Sequence, residues 1–209
     1  MTWLIHILDI IFPPRATELI VRNIHTLDFV SLVEPVEILY GSVGIVSLLR
    51  YENPAVSSCV LEAKFHNNKK AQELLGFALA SYLPELVGEA FSYGRQTIIV
   101  PVPLSKHRKK SRGYNQVFEI ASRAVKGDGP GCISLQILTR KRDTVPQTSL
   151  SGRERRENMH GAFQVGEIDE RRAYLVIDDV STTGATLLSA HGALKDAGAN
   201  HIALLSLAH

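Results

Sequence analysis

The sequence predicts an α/β fold, a parallel-stranded central sheet flanked by helices, on three observations. Apolar runs of strand length alternate with stretches of helical periodicity, the pattern of right-handed β-α-β crossovers. The 209 residues are 45% hydrophobic and 21% charged, enough for one sizeable core with a small appendage. The run Tyr174-Leu-Val-Ile-Asp-Asp-Val-Ser-Thr-Thr-Gly-Ala-Thr186 reads as buried strand, turn and helix in direct succession. The expected division is an N-terminal extension over 1–54 and a main domain over 55–209.

Residues 2–11 set Leu4, Ile7, Leu8 and Ile11 on one helical face, closed by Pro13-Pro14. This piece reads as packing on the core, because its polar face lacks the Lys and Arg of a membrane-surface helix. The Trp3 to Phe12 run is too short to span a bilayer and lacks the marks of a signal peptide, so no membrane insertion and a cytoplasmic location are expected. Arg15 to Glu37 shows weak periodicity. Val43 to Tyr51 reads as a strand or hairpin arm, and Glu52-Asn-Pro54 as a turn starting a helix that carries Val56, Val60, Leu61 and Lys64-Phe65. After a polar connector, Lys64 to Lys70, a second helix carries Leu74, Leu75, Ala78, Leu79 and Tyr82, with Pro84 beyond its end. Strands follow at Thr97 to Val102, Leu135 to Leu138 and Ile202 to Leu207; helices at Gln116 to Val125 and about Ala185 to Ala197; Lys126 to Gly131 is a loop. Cys59 and Cys132 lie far apart with no CxxC, so neither a disulfide framework nor a zinc site is expected, and both read as small buried hydrophobes.

The Tyr174 to Thr186 stretch carries the chemistry. Backbone N–H groups and the hydroxyls of Thr182, Thr183 and Thr186 gather at a helix start, where free donors and the helix dipole favour a phosphate monoester. Gly184 lets the backbone approach a ligand. Asp178 and Asp179 suit sugar hydroxyls or water around Mg2+. Together they suggest a phosphorylated ribose; the bland alternative is a polar surface loop.

Net charge is +2, yet Pro101 to His160 holds 13 Lys and Arg against 5 Asp and Glu. Such a concentration suggests an anionic ligand. A buried strand runs into Lys106, Arg108, Lys109, Lys110 and Arg112, a positive loop at the same sheet edge as the two acids and suited to a diphosphate with Mg2+. Lys109 and Lys110 read equally well as a solvated charge run. Arg112-Gly-Tyr-Asn-Gln116 looks like a turn built for directional donors, where Asn115 caps a helix begun by Gln116; capping alone also explains Asn115. Leu138 to Phe163 is a long basic stretch: a lid, a binding arm or disorder.

The Asp178 to Thr186 stretch resembles the PRPP-binding motif of type I phosphoribosyltransferases. Phe65-His-Asn-Asn-Lys-Lys70, Pro101-Val-Pro103, Arg112 to Gln116, Arg140 with Thr144 and Gln147, Leu150-Ser151, Glu154-Arg-Arg156 with Asn158, and Gly161-Ala-Phe163 together resemble the ComF family over about residues 55 to 208. The resemblance implies a type I phosphoribosyltransferase fold with a flexible basic arm, Mg2+ and PRPP as ligand, and transfer of phosphoribosyl to an unknown acceptor. It implies a 5′-phosphate on Ser181, Thr182, Thr183, Gly184, Ala185 and Thr186, and pyrophosphate on Pro103, Leu104, Ser105, Lys106, Arg108 and Arg112. Asp178, Asp179 and Arg112 become the catalytic set, with Mg2+ held mainly through PRPP and by the acids through water. Asn115, Gln116, Arg140, Gln147, Arg155, Arg156 and Asn158 are family-motif positions, and the 140–160 arm with Arg140, Arg153, Arg155 and Arg156 would close over the pyrophosphate.

Two departures matter. The four-cysteine zinc knuckle that many members carry after a Phe-Pro pair has no counterpart following Phe12-Pro13, so no structural zinc is expected. Thr182 stands where purine-salvage enzymes carry an acid, so a purine acceptor is not supported. No general base is assigned; His66, His107 and His160 read as surface or capping residues. Three functions stay open: a transferase, a PRPP-binding regulator or competence factor without turnover, and a binder of single-stranded DNA or DNA-processing proteins. DNA binding through 101–160 has few stacking aromatics, chiefly Tyr114.

Overall fold

The computed structural model describes residues 13–90, 95–125, 132–133, 136–141 and 161–209. The expected helix over 2–11, the 126–131 loop, and the arm positions Gln147, Arg153, Arg155, Arg156 and Asn158 lie outside the described residues. Where periodicity was weak, the chain forms two short helices, α1 (Ala16–Asn23) and α2 (Thr26–Val30). A hairpin follows, β1 (Val36–Tyr40) and β2 (Val43–Leu49), whose two-residue loop opens with Gly41 at φ 67. Helix α3 (Pro54–Phe65) starts as expected: Pro54 takes the first position and the Asn53 side chain accepts the Ala55 N–H.

Helix α4 (Lys69–Ala90) corrects an expectation, because Pro84 lies inside it. Pro84 is exposed, while Leu83 and Leu86 on the opposite face are buried, and this packing carries the helix past one missing hydrogen bond. The remaining elements are β3 (Thr97–Pro101), α5 (Lys106–Arg112), α6 (Gln116–Ala124), β4 (Cys132–Ile133), β5 (Leu138–Arg140), β6 (Phe163–Val165), β7 (Ala173–Val180), α7 (Ala185–Asp196) and β8 (His201–Ala208). The strand expected to end at Leu138 instead begins there, paired antiparallel with β6 through Leu138 and Val165.

The main sheet has six strands in the order β1-β2-β8-β7-β3-β4, parallel except for β1. Residues 36–49, counted with the extension, form its edge through the β2–β8 pairing. Side chains alternate between two layers, as the period of a strand requires. Ile99, Leu175, Ile177, Leu205 and Leu207 pack with α1, α2, α3, α4 and α6. Ile98, Val100, Tyr174, Val176 and Leu204 pack on the other side with α7 and the β5–β6 pair.

Neighbouring strands β3 and β7 lead in opposite directions, β3 toward β4 and β7 through α7 to β8. Their outgoing loops therefore diverge and leave a crevice at the carboxyl ends, the usual ligand position in open α/β sheets. Among the described residues no helix is long and apolar enough to cross a membrane. Cys59 is buried, and burial pushes its thiol up to about 12, so it acts as a small hydrophobe as expected.

Candidate functional site

The crevice between β3 and β7 is a polar cleft whose lining includes Pro103, Leu104 and Arg108 after β3, Asp178 and Asp179 on β7, and the whole Ser181–Thr186 turn. Pro101 pairs with Ile177, and Val102 N–H donates to Ile177 O at 2.8 Å, so the two chains leave the sheet at the same level.

Strand alternation gives the two acids different surroundings. Asp179 falls on the α3 and α6 side, where its Oδ2 accepts from Lys64 Nζ at 3.0 Å and Gln116 Nε2 at 2.7 Å, and its Oδ1 from Val180 N at 2.8 Å. Burial pushes this carboxyl up, but Lys64, Gln116 and the Val180 N–H together pull it below its ordinary value. Asp178 falls on the other side and accepts the Asp179 N–H at 2.9 Å. Burial, then the Asp179 charge, raise the Asp178 carboxyl well above the usual range against smaller opposing effects of the Asp179 N–H, Lys64 and Arg140.

The expected order of strand, turn and helix is present from Ala173 to Asp196. Gly184 sits at the start of α7 at φ 68, and no side chain caps the helix, so its first N–H groups are left for another acceptor. The Ser181 hydroxyl is buried without a hydrogen-bond partner among the described residues, while Thr182 and Thr183 are exposed at the cleft. The glycine has an added reason: a Cβ on Gly184 would stand 2.9 Å from Ile45 Cδ1 and 3.0 Å from the Tyr40 ring. The β1–β2 hairpin thus presses directly on the turn.

Arg112 to Gln116 and Phe65 to Lys70 form one corner. Gly113 ends α5 at φ 76; the Asn115 side chain caps α6 by accepting from Val117 and Phe118 N–H and donates to Val102 O at 3.0 Å. Tyr114 OH donates to Ala63 O at 2.9 Å and accepts from Asn67 N at 2.8 Å, which ties its hydroxyl into the fold. Asn67 itself takes a left-handed φ of 51. Arg112 stacks over the Phe65 ring at 5.1 Å and donates to Gln116 Oε1 at 2.8 Å. It stands behind the cleft and reaches Asp179 through Gln116.

The expected positive loop after β3 is instead the helix α5, capped at its start by Ser105, which accepts from Arg108 N. Lys and Arg are good helix formers, and the caps at Ser105 and Gly113 close the segment. Pro103, Leu104 and Arg108 reach the cleft; Lys106, Lys109 and Lys110 are exposed outside its lining. Arg140 lines the cleft and lies over Phe163 at 5.7 Å. Lys64, expected at the helix end where the polar connector begins, does lie in the last turn of α3; what the sequence did not reveal is that it lines the cleft. Its helical spacing from buried Val60 was the available signal.

The fold and site define an α/β protein with a polar cleft at the carboxyl edge of a parallel sheet. No family model matches the chain. Competence protein F of Haemophilus influenzae is 36% identical over 115 residues, 53% of this chain and 49% of that protein. DNA utilization protein YhgH of Salmonella typhimurium is 32% identical over 145 residues, 68% of this chain and 62% of that one. Competence protein ComFC of Streptococcus pneumoniae is 32% identical over 134 residues, 64% and 56% of the two. The chain belongs to the ComF family. It spans between 49% and 62% of the length of these curated relatives.

Proposed function

We propose that the cleft binds PRPP and that the chain is a phosphoribosyltransferase-like protein of the type I fold, with a role linked to DNA uptake as the names of its relatives suggest. The observation that carries this reading is the Ser181–Thr186 cradle: a helix start without a side-chain cap, a left-handed Gly184 and a buried Ser181 hydroxyl with no partner among the described residues. A phosphate monoester satisfies all three at once. With phosphate there, the sugar hydroxyls face Asp178, and the diphosphate lies toward Pro103, Leu104 and Arg108 across the crevice.

The residues fit Mg2+ as an ion that arrives with the diphosphate and spreads its charge as it departs. Asp179 already accepts from three donors, so its share in holding the ion is through water, and Asp178 offers the more available carboxylate. In transfer, the C1–O bond to pyrophosphate breaks as the acceptor bonds to C1 with inversion. The chain contributes positioning and charge: Arg108 and Arg140 at the cleft, and Arg112 through Gln116. Binding without turnover, as a regulator or competence factor, uses the same contacts. Thermal unfolding tests the reading: PRPP with Mg2+ raises the unfolding temperature, equivalent to about 2.7 kcal/mol at a hundredfold excess over Kd, and ribose 5-phosphate or pyrophosphate alone does less. No shift with PRPP contradicts it.

One observation favours a second reading, contact with single-stranded DNA. None of the seven residues of α5 is buried, and Lys106, Arg108, Lys109 and Lys110 project beside the cleft mouth. Such a helix suits a phosphate backbone, and DNA affinity that falls steeply with salt, less steeply after Lys109→Glu and Lys110→Glu, supports it. A slope unchanged by those substitutions removes α5 from the interface.

A further inference from the structure

Lys64 forms a partly buried ion pair with Asp179, the two side chains being 24% and 10% exposed. Such pairs contribute little net stability, since desolvation offsets attraction. Asp179 would remain hydrogen-bonded without it, because Gln116 and the Val180 N–H also donate to the carboxylate. The ammonium can therefore change partners without leaving a bare buried carboxylate, and its four-carbon stem allows the swing. The cleft lining holds Lys64, Arg108 and Arg140 against Asp178 and Asp179, three cations to two acids. Without Lys64 the lining is balanced and the acid pair faces solvent cations.

Resting on the PRPP reading above, we propose that Lys64 is a ligand-contacting residue and the site's tethered counter-cation: it neutralises Asp179 before ligand binds, then passes hydrogen bonds to the diphosphate. It is the side chain that answers a diphosphate and is indifferent to the 5′-phosphate, which sits across the cleft on the α7 turn. It also competes with a divalent ion for Asp179, so the site selects an ion already bound to diphosphate over the ion alone.

The test compares wild type, Lys64→Met and Lys64→Arg in two titrations, PRPP with Mg2+ by calorimetry and Mn2+ alone by loss of its free electron-spin signal. In Lys64→Met, PRPP affinity falls about tenfold or more, ribose 5-phosphate affinity changes less than about threefold, and Mn2+ alone binds several-fold tighter. Lys64→Arg keeps the charge and Mn2+ affinity stays near wild type; this variant carries the test if Lys64→Met fails to fold, and Mn2+ binding tightened in it to several-fold overturns the proposal. Wild-type PRPP affinity in a folded Lys64→Met also overturns it. If the wild type binds no PRPP, the ligand reading fails, and Lys64 is then judged on Mn2+ alone: unchanged Mn2+ affinity in Lys64→Met overturns its counter-cation role.

Discussion

Gln116 Nε2 donates to Asp179 Oδ2 at 2.7 Å, a buried bond between residues 63 apart in the chain. It joins α6 to the end of β7 and, because Gln116 Oε1 accepts from Arg112, extends to the corner behind the cleft. Loss of one buried bond to a charged acceptor costs about 1.5–3 kcal/mol, so Gln116→Leu is expected to weaken PRPP binding at least about tenfold. Arg112→Met acts through the same amide, and the double variant loses little more than Gln116→Leu alone. Losses that add in calorimetric titration contradict the relay.

Asp178 lowers the stability of the fold at neutral pH. Its folded-state carboxyl is raised above the ordinary value of 3.8, chiefly by burial and then by the Asp179 charge. The unfolded chain releases this proton more readily, so the residue makes folding less favourable as pH rises above 3.8, and fully so above the raised value. Asp178→Asn is expected to unfold at a higher temperature than wild type at pH 8, with the gap closing near pH 3.5, and to lose PRPP binding. A lower unfolding temperature at pH 8 contradicts the sign.

The opposite sign holds at Glu62, a fully buried carboxylate that accepts two bonds from Arg15 and one from Thr17. The Arg15 hydrogen bond, outweighing burial, lowers it from 4.5 to about 2. Its stabilisation, on the order of 3 kcal/mol, is present above pH 4.5 and lost as pH falls toward about 2. Arg15→Met leaves the charge poorly compensated; because Arg15 is itself 46% exposed, the loss should lie near or below the low end of about 3–5 kcal/mol. Urea unfolding at pH 7 measures it, and an unchanged midpoint contradicts the assignment.

Gly184→Ala meets two obstacles, a left-handed φ of 68 and a Cβ 2.9–3.0 Å from Ile45 and Tyr40. A destabilisation of at least about 1–2 kcal/mol is expected, with weaker phosphate binding. Tyr40→Ala in the same chain relieves part of the clash and none of the backbone strain, so rescue is partial. Complete rescue assigns the whole effect to the hairpin.

The local part of this site was legible. Strand β7, the turn and α7 follow each other within one stretch, and each signal is short-range: an apolar run, two acids, a glycine at a helix start. Asn115 and Gln116 were placed correctly at the start of α6 for the same reason. What escaped depends on long-range packing. Lys64 meets Asp179, 115 residues further along the chain, because the fold brings the last turn of α3 to the end of β7, a pairing that no local spacing encodes. Pro84 and α5 escaped differently: tertiary packing carried α4 through a proline, and a dense charge run concealed a helix whose caps, Ser105 and Gly113, were present in the sequence. The β1–β2 hairpin is weakly patterned because β1 alternates between half-buried and exposed positions with none fully buried.

On the proposed reading, the cleft between β3 and β7 holds PRPP on the α7 turn and the β7 acids. Calorimetric titration of PRPP with Mg2+ into wild type and into Asp178→Asn/Asp179→Asn measures this most directly. Saturable one-to-one binding by the wild type, lost in the folded double variant, is the expected result; no heat with the wild type, or equal binding by the two, contradicts it.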